Sequence, residues 1–419
     1  MIRPLFECDR EESRLDFLRS LPRIVPKPTP GPNGLSGMLL DIPFTIVELA
    51  YLTHNFYRYY GKYPSILGGY LIERYAEAGP VFDNYVGSGT TLVEARIRGV
   101  DSSGVDINPL SVLASNVKTR AHRDLRGLRE FRDTTLRLAT EGKSRILPLP
   151  APDRIHKWFS ENNLDRLQRL RDALLSQAAS PLREFALVAF LAIIRRCSNA
   201  YDGEVRPHIK RNKKPRDPFE AFADKFDDML KHEGEFLEVV PENGSAQAFC
   251  ASCTDEDLGR YMPYGRPQLV ISHPPYLNCF NYYAVFSLEN MWSYEFEDVW
   301  EGLSEEWVKM NEHICWPATK ADVIDRYFIN LKSAYSNLRR FVEPGSKLAI
   351  VIGDSTLRNQ LIPVHEKVID MLPECGYRPV EVLYRTTHYG IGKYAYHTRA
   401  DYHGEALKKD GVIVAEAFD

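Results

Sequence analysis

The sequence predicts an α/β fold with a doubly wound, mostly parallel sheet interrupted by a helical insertion. Three observations predict it. From 66 to 120 the pattern alternates helix, apolar strand, glycine loop, helix and strand, as at the start of βαβ units. From 245 onward the alternation resumes, with strands expected at 246–251, 268–271, 347–352, 378–385 and 411–416 and helices at 282–294, 326–341 and 363–372. Between 121 and 244 the strand signal fades. There Leu164, Leu167, Leu170 and Leu174 recur at helical spacing, and 185–194 reads as a helix buried on most sides.

These patterns divide the chain into an arm at 1–45, a catalytic domain at 46–120 and 245–419, and a mostly helical insertion at 121–244. The arm carries prolines 26, 28, 30 and 32, which exclude helix and predict a stiff extended linker. A helix is expected over about 45–55. The 419 residues, 44% hydrophobic and 26% charged, suffice for a full core and are ordinary for a soluble globular protein. A net charge of −4 gives no global positive field, so any contact with nucleic acid rests on local patches. Of seven cysteines only Cys250 and Cys253 form a Cys-x-x-Cys pair, without a second pair or nearby histidines, so no metal is expected. They read as buried thiols of a reducing compartment. The start lacks an apolar leader, and the longest apolar run, 185–194, is about half a membrane span. A cytoplasmic protein without membrane contact is the expectation.

Two segments carry the chemistry. In the first, the strand ending at Asp83 passes through Asn84, Tyr85 and Val86 into Gly87-Ser88-Gly89 and then Thr90-Thr91, opening a helix. Such a loop lets backbone approach a nucleoside or amino-acid ligand closely, and Asp106 follows at about the 20-residue distance from which a carboxylate reaches ribose hydroxyls. The Gly-Lys-Ser/Thr of a phosphate-binding P-loop is missing, which disfavours ATP. In the second, the strand-like run 268–271 leads into Ser272, His273, Pro274, Pro275 and Tyr276. Consecutive prolines stiffen the backbone and remove donors, leaving carbonyls and the flanking rings to face a ligand; an ordinary turn after an edge strand is the competing reading. A third feature lies in the insertion: residues 206–216 hold six Lys/Arg among eleven, namely Arg206, Lys210, Arg211, Lys213, Lys214 and Arg216. It is either a solvated loop or a phosphate-contacting one.

Together these segments resemble the amino-methyltransferases that modify DNA with S-adenosylmethionine. Their glycine motif is typically Asp-Pro-Phe-x-Gly-Ser-Gly-Thr-Thr, and their catalytic motif is Asp, Asn or Ser followed by Pro-Pro and an aromatic. Residues 54–64, from His54 to Pro64, look like the aromatic-basic segment those enzymes place before the glycine loop, and 343–354 is similar to a late turn and strand of their fold. The resemblance covers about 50–120 and 245–419. It implies a Rossmann-like class I methyltransferase fold, S-adenosylmethionine as cofactor and double-stranded DNA with a flipped target base as partner; a companion restriction or defence nuclease stays open.

By the same resemblance, His273 and the Pro274 carbonyl accept hydrogen bonds from the two N–H groups of the target amino group, Pro275 stiffens the turn, and Tyr276 stacks on the base. Ser272 is the alternative polar contact. Asp83, Tyr85, Gly87, Ser88, Gly89, Thr90 and Thr91 shape the cofactor loop, Asp106 takes the ribose hydroxyls, and Tyr63 and Pro64 close over the methionine end. Asn278, Asn281 and Tyr282 border the base pocket, and the helical insertion with its basic loop serves as target-recognition region. The sequence departs from the family at Asn84, where proline is usual, at Tyr85, where phenylalanine is usual, and at His273. Neutral imidazole offers one acceptor nitrogen and imidazolium none, so transfer is expected to fall below pH ~6.5. Cytosine N4 is the favoured target, followed by adenine N6, then RNA, then a protein that binds without catalysing.

Overall fold

The computed structural model describes residues 10–42, 44, 48–77, 79–142, 152–277, 279, 281–293, 296, 322–357, 360–385 and 410–419. In chain order they form α1 (Arg10–Ser20), β1 (Pro26–Pro30), β2 (Ser36–Leu40), α2 (Ser65–Tyr75), β3 (Val81–Asp83), α3 (Thr90–Ile97), β4 (Ser102–Asp106), α4 (Pro109–Thr119) and α5 (Leu125–Glu141). Then come α6 (Pro152–Trp158), α7 (Glu161–Leu175), α8 (Pro181–Ile193), α9 (Pro218–Val239), β5 (Ala246–Cys250), β6 (Leu269–Ser272), α10 (Tyr282–Val285) and α11 (Ser287–Ser293). The last described elements are α12 (Val323–Arg339), β7 (Lys347–Gly353), β8 (Ser355–Leu357), β9 (Gln360–Ile362), α13 (Val364–Met371), β10 (Tyr377–Arg385) and β11 (Asp410–Ala417).

One nine-stranded sheet runs β1-β2-β10-β11-β7-β6-β3-β4-β5. Strands β5, β4, β3, β6 and β7 are mutually parallel, and β11 is antiparallel to both β7 and β10. From β3 the chain winds outward through β4 to β5, then returns to β6 on the other side of β3. That reversal leaves a crevice at the carboxyl ends of β3 and β6, the place where doubly wound sheets bind ligands.

Alternation along the strands loads both faces. Val270, Leu348, Ile350 and Ile352 pack with Tyr335 and Leu338 of α12, while Leu269, Ile271, Ala349 and Val351 pack with Leu67 and Leu71 of α2. The insertion helices form a separate core around Phe185, Phe190, Phe222 and Phe226, which also takes in Tyr57, Tyr60 and Phe286.

Four expectations change. The proline-rich arm is extended but is no free linker: 26–30 pairs with 36–40, which lies parallel to β10, so the arm supplies the edge of the main sheet. Prolines 26, 28 and 30 occupy alternate positions, so their missing N–H groups fall on one side, as an edge strand tolerates. Within 45–55, residues 45–47 lie outside the described set, and the remainder forms only a 3-10 turn at Leu52–Asn55. The helix expected at 282–294 is broken between α10 and α11. Cys250, expected buried, is exposed because it points outward from β5 at the sheet's other edge.

Candidate active site

The loop after β3 is held from below. Asp83 is 1% exposed; its Oδ1 accepts the Tyr85 N–H at 2.9 Å, and its Oδ2 accepts the Thr91 hydroxyl, which in turn accepts from Tyr63 OH at 2.6 Å. Asp83 and Thr91 are therefore braces under the loop rather than its inner wall. Gly87 and Gly89 adopt φ of +51° and +76°, and a Cβ on Gly89 would lie 2.6 Å from Ser115 Oγ, so helix α4 packs where no side chain fits. The buried Lys118 of α4 donates to the Ser88 carbonyl at 2.7 Å. Ser88 and Thr90 hydroxyls share a hydrogen bond at 2.8 Å.

Asp106 closes the crevice from β4. Its Oδ2 accepts the Gly87 N–H at 2.7 Å and its Oδ1 the Asn108 N–H at 2.8 Å, which fixes the carboxylate plane against the loop. Each oxygen retains a second lone pair. Burial pushes Asp83 up to about 7 and Asp106 up to about 6, partly offset in each by hydrogen bonds to the carboxylate.

At the end of β6, Ser272 follows the strand's alternation into the core and meets Tyr335 OH at 3.2 Å. It is fully buried and does not face the crevice. This removes it as the polar contact: the residue facing the crevice is the next one, His273. The His273 ring stands edge-on between Tyr63 and Tyr276, with centroids 5.4 and 5.5 Å away. The turn is anchored by Tyr327 OH donating to the Pro275 carbonyl at 2.9 Å, and Arg385 donates to Tyr276 OH at 3.5 Å.

The loop, Asp106 and the turn after β6 open into one cavity of about 1750 Å³. Its wall includes Tyr63, Pro64, Tyr85, Gly87, Ser88, Thr90 and Asp106 from the cofactor set and His273, Pro274, Pro275 and Tyr276 from the catalytic set. Tyr282 lines it too, stacked on Tyr59 at 5.7 Å. Asn281 does not; its Oδ1 caps α10 through the Ala284 N–H at 2.9 Å. Asn278 lies outside the described residues.

The basic loop divides. Lys213, Lys214 and Arg216 reach the cavity wall, whereas Arg206, Lys210 and Arg211 are exposed outside it. Lys213 is a bolt: its ammonium donates to Arg195 O at 2.8 Å, Ala200 O at 2.6 Å and Asp202 Oδ1 at 2.9 Å. Arg216 pairs with Asp224 at 2.7 Å, and Lys210 sits over the Tyr201 ring at 4.3 Å.

Sequence reasoning missed Tyr59, Lys62, Asn84 and Arg195, which share this wall. Arg195, just past α8, ties that helix to the chain on either side, donating to Tyr60 OH at 2.6 Å and to Val285 O at 2.6 Å. For Asn84 a signal existed, since it replaces a usual proline; for an arginine inside an apolar helix end, none did.

The strand order and the crevice define a doubly wound, Rossmann-like α/β fold. The chain is similar to two curated proteins: it is 33% identical to the Type II methyltransferase M.MvaI of Kocuria varians over 168 residues, 37% of this chain and 36% of that protein. It is 35% identical to the Type II methyltransferase M.MjaII of Methanocaldococcus jannaschii over 79 residues, 19% of this chain and 15% of that protein. The chain thus spans 36% of the length of the first of these relatives and less of the second. No family model matches the chain. Solved structures similar to it include the rRNA methyltransferase aviRa of Streptomyces viridochromogenes, with 11% identity, a TM-score of 0.26 and coverage of 71% of this chain and 77% of that one. Another is TrmN of Thermus thermophilus, with 10% identity, a TM-score of 0.27 and coverage of 86% and 50%. Among the described residues no helix is long and apolar enough to cross a membrane.

Proposed function

We propose that this chain is an S-adenosylmethionine-dependent DNA methyltransferase acting on the exocyclic amino group of a flipped base, with cytosine N4 as target. One observation carries the reading: the Asp106-braced glycine loop and the His273–Pro274–Pro275–Tyr276 turn face each other across one cavity at the ends of neighbouring strands. The names of the two relatives support the same reaction class.

The residues fit the cofactor. Asp106 retains acceptor capacity for two hydroxyls, and Asn84, buried in the cavity wall, has neither side-chain polar atom partnered among the described residues. When bound, S-adenosylmethionine supplies an electrophilic methyl group. The chain's own residues do the rest by position and electrostatics. An exocyclic amino nitrogen is a poor nucleophile because its lone pair is delocalised into the ring. The neutral His273 imidazole and the Pro274 carbonyl accept hydrogen bonds from its two N–H groups, which draws the nitrogen toward tetrahedral geometry and frees the pair. Tyr276 offers the ring face for the base, and a base can reach such a pocket only by leaving the duplex. The insertion and its basic loop face the rest of the DNA.

The test is mass spectrometry of nucleosides from DNA incubated with the protein and S-adenosylmethionine. N4-methylcytosine is expected. N6-methyladenine moves the target to adenine, and methylation of RNA alone, or cofactor binding with no transfer to any nucleic acid, sinks the DNA reading.

A further inference from the structure

The cavity of about 1750 Å³ exceeds the roughly 300–1,000 Å³ of a pocket for one small ligand, and two buried polar groups in its wall have no part in the chemistry above. Both border Phe286. Tyr57 stacks on that ring with centroids 6.0 Å apart, and Glu289 of α11 lies three residues beyond it, in the turn closed by the Asn290 N–H donating to the Phe286 carbonyl at 2.8 Å. Glu289 is 6% exposed and Tyr57 5%, and both line the cavity. Glu289 Oε1 lies 3.7 Å from Arg195 Nε, while Glu289 Oε2 and Tyr57 OH have no partner among the described residues. Burial raises the Glu289 pKa, and the Arg195 guanidinium opposes that shift and favours the anion. A carboxylate oxygen and a phenol left unpaired in a protein interior are costly, so their place in a cavity wall points to a ligand that completes both. The same wall leads toward the catalytic turn: Tyr59 meets Phe286 at 5.5 Å and stacks on Tyr282 at 5.7 Å, so one row of rings runs from Tyr282 to Tyr57.

We propose that Glu289 and Tyr57 form a second nucleobase subsite that takes the Watson–Crick edge of a guanine in the recognised DNA, a reading that rests on DNA being the substrate. An ionised carboxylate only accepts hydrogen bonds and repels a phosphate, so its ligand brings N–H donors. Among the described residues Glu289 belongs to no cluster of three or more metal-binding side chains, which leaves an organic donor. Guanine alone among the DNA bases presents two adjacent donors, N1–H and N2–H, beside a carbonyl oxygen. The carboxylate accepts from the donors, and Tyr57 OH donates to O6. In adenine and cytosine the amino group stands beside a ring nitrogen whose lone pair the carboxylate repels, and the single N–H of thymine stands between two carbonyls. Pairing hides that edge within a duplex, so this guanine, like the target base, leaves the stack.

Methylation of a random-sequence DNA library by the full chain, read by sequencing that detects modified bases, gives the recognised sequence. Methylation rates are then measured on duplexes in which each of its guanines in turn is replaced by inosine, which lacks the N2 amino group, or by 7-deazaguanine, which lacks N7. At one position inosine should slow wild type by roughly 5- to 100-fold and 7-deazaguanine by less than about twofold. Glu289→Gln should slow the guanine substrate and erase most of that inosine penalty. Tyr57→Phe removes a hydroxyl that has no internal partner, so a rate on the guanine substrate lower by roughly 3- to 10-fold at an unchanged melting temperature reports the ligand, even where Glu289→Gln fails to fold. The proposal is overturned by a recognised sequence without guanine, by a penalty from 7-deazaguanine rather than inosine, which puts the readout in the major groove, or by wild-type rates in Tyr57→Phe. It is equally overturned if Glu289→Gln slows every substrate alike and keeps the inosine penalty, which makes Glu289 only an internal counter-ion of Arg195. Those outcomes leave the methyltransferase reading standing; no methylation of any DNA sinks that reading and this one with it.

Discussion

Two buried carboxyls govern how the site responds to pH. Asp83 and Asp106 end adjacent strands, and desolvation, with mutual repulsion adding at Asp83, raises them to about 7 and about 6. Burial favours the protonated form, so their contribution to fold stability is full below the unfolded value of ~3.9 and is lost as pH rises through about 6 and about 7. Ligand binding has the opposite sign. Two hydroxyls need an ionised Asp106 as double acceptor, so S-adenosylhomocysteine affinity should weaken as pH falls through about 6, and Asp106→Asn should bind weakly with that dependence flattened. The transfer step is separable: at saturating cofactor the single-turnover rate should fall with acidification, because a protonated imidazole offers no acceptor nitrogen. His273→Ala should slow the rate by roughly 100-fold with cofactor affinity unchanged, in line with the loss of one positioned acceptor. A flat rate from pH 5 to 8 counts against His273 as acceptor.

At the scale of elements, the fold depends on close approaches that only glycine permits. Gly89→Ala meets Ser115 at 2.6 Å and keeps φ at +76°, so it should cost about 2–4 kcal/mol in urea unfolding and lower cofactor affinity as well. Gly345→Ala, at φ +89° with nothing within 4 Å, should cost only about 1 kcal/mol. Equal losses would show that the Gly89–Ser115 contact is irrelevant. Elements with a strong period were legible in the sequence: β6 and β7 lie within a residue of their expected positions and β3 ends at Asp83, since buried parallel strands read as short apolar runs. The pairing of β1 was not, because prolines report conformation but not the partner that an edge strand finds. The side taken by Ser272 was equally hidden. A side chain at the last strand position belongs to one face or the other depending on where pairing stops, and here β6 still pairs at Ser272 with Ile350. Asn84 escaped for a different reason: neither of its side-chain polar atoms has a partner among the described residues, which only three-dimensional packing reveals.

Over the whole molecule the net charge of −4 gives no attraction to a polyanion, so under the proposed function DNA would be held by local patches rather than by a global field. The 206–216 loop combines two kinds of cation that sequence alone treats as one. Lys213 is spent on three internal oxygens and joins the loop to α8, so Lys213→Met should lower stability by about 2 kcal/mol or more. Arg206, Arg211 and Lys214 are exposed. If they neutralise phosphates, replacing all three by serine should make the slope of log affinity for duplex DNA against log salt shallower by roughly 2 to 3, since each phosphate contact releases about 0.9 counterion. S-adenosylhomocysteine affinity and the melting temperature should stay at wild-type values. An unchanged salt slope in that triple variant, with Arg58, Arg196 and Arg385 still lining the cavity, would transfer the phosphate contacts from the loop to the cavity wall. The reason to expect the loop is geometric: it is tied to Arg195, and its Lys213, Lys214 and Arg216 line the same cavity as His273 and Tyr276.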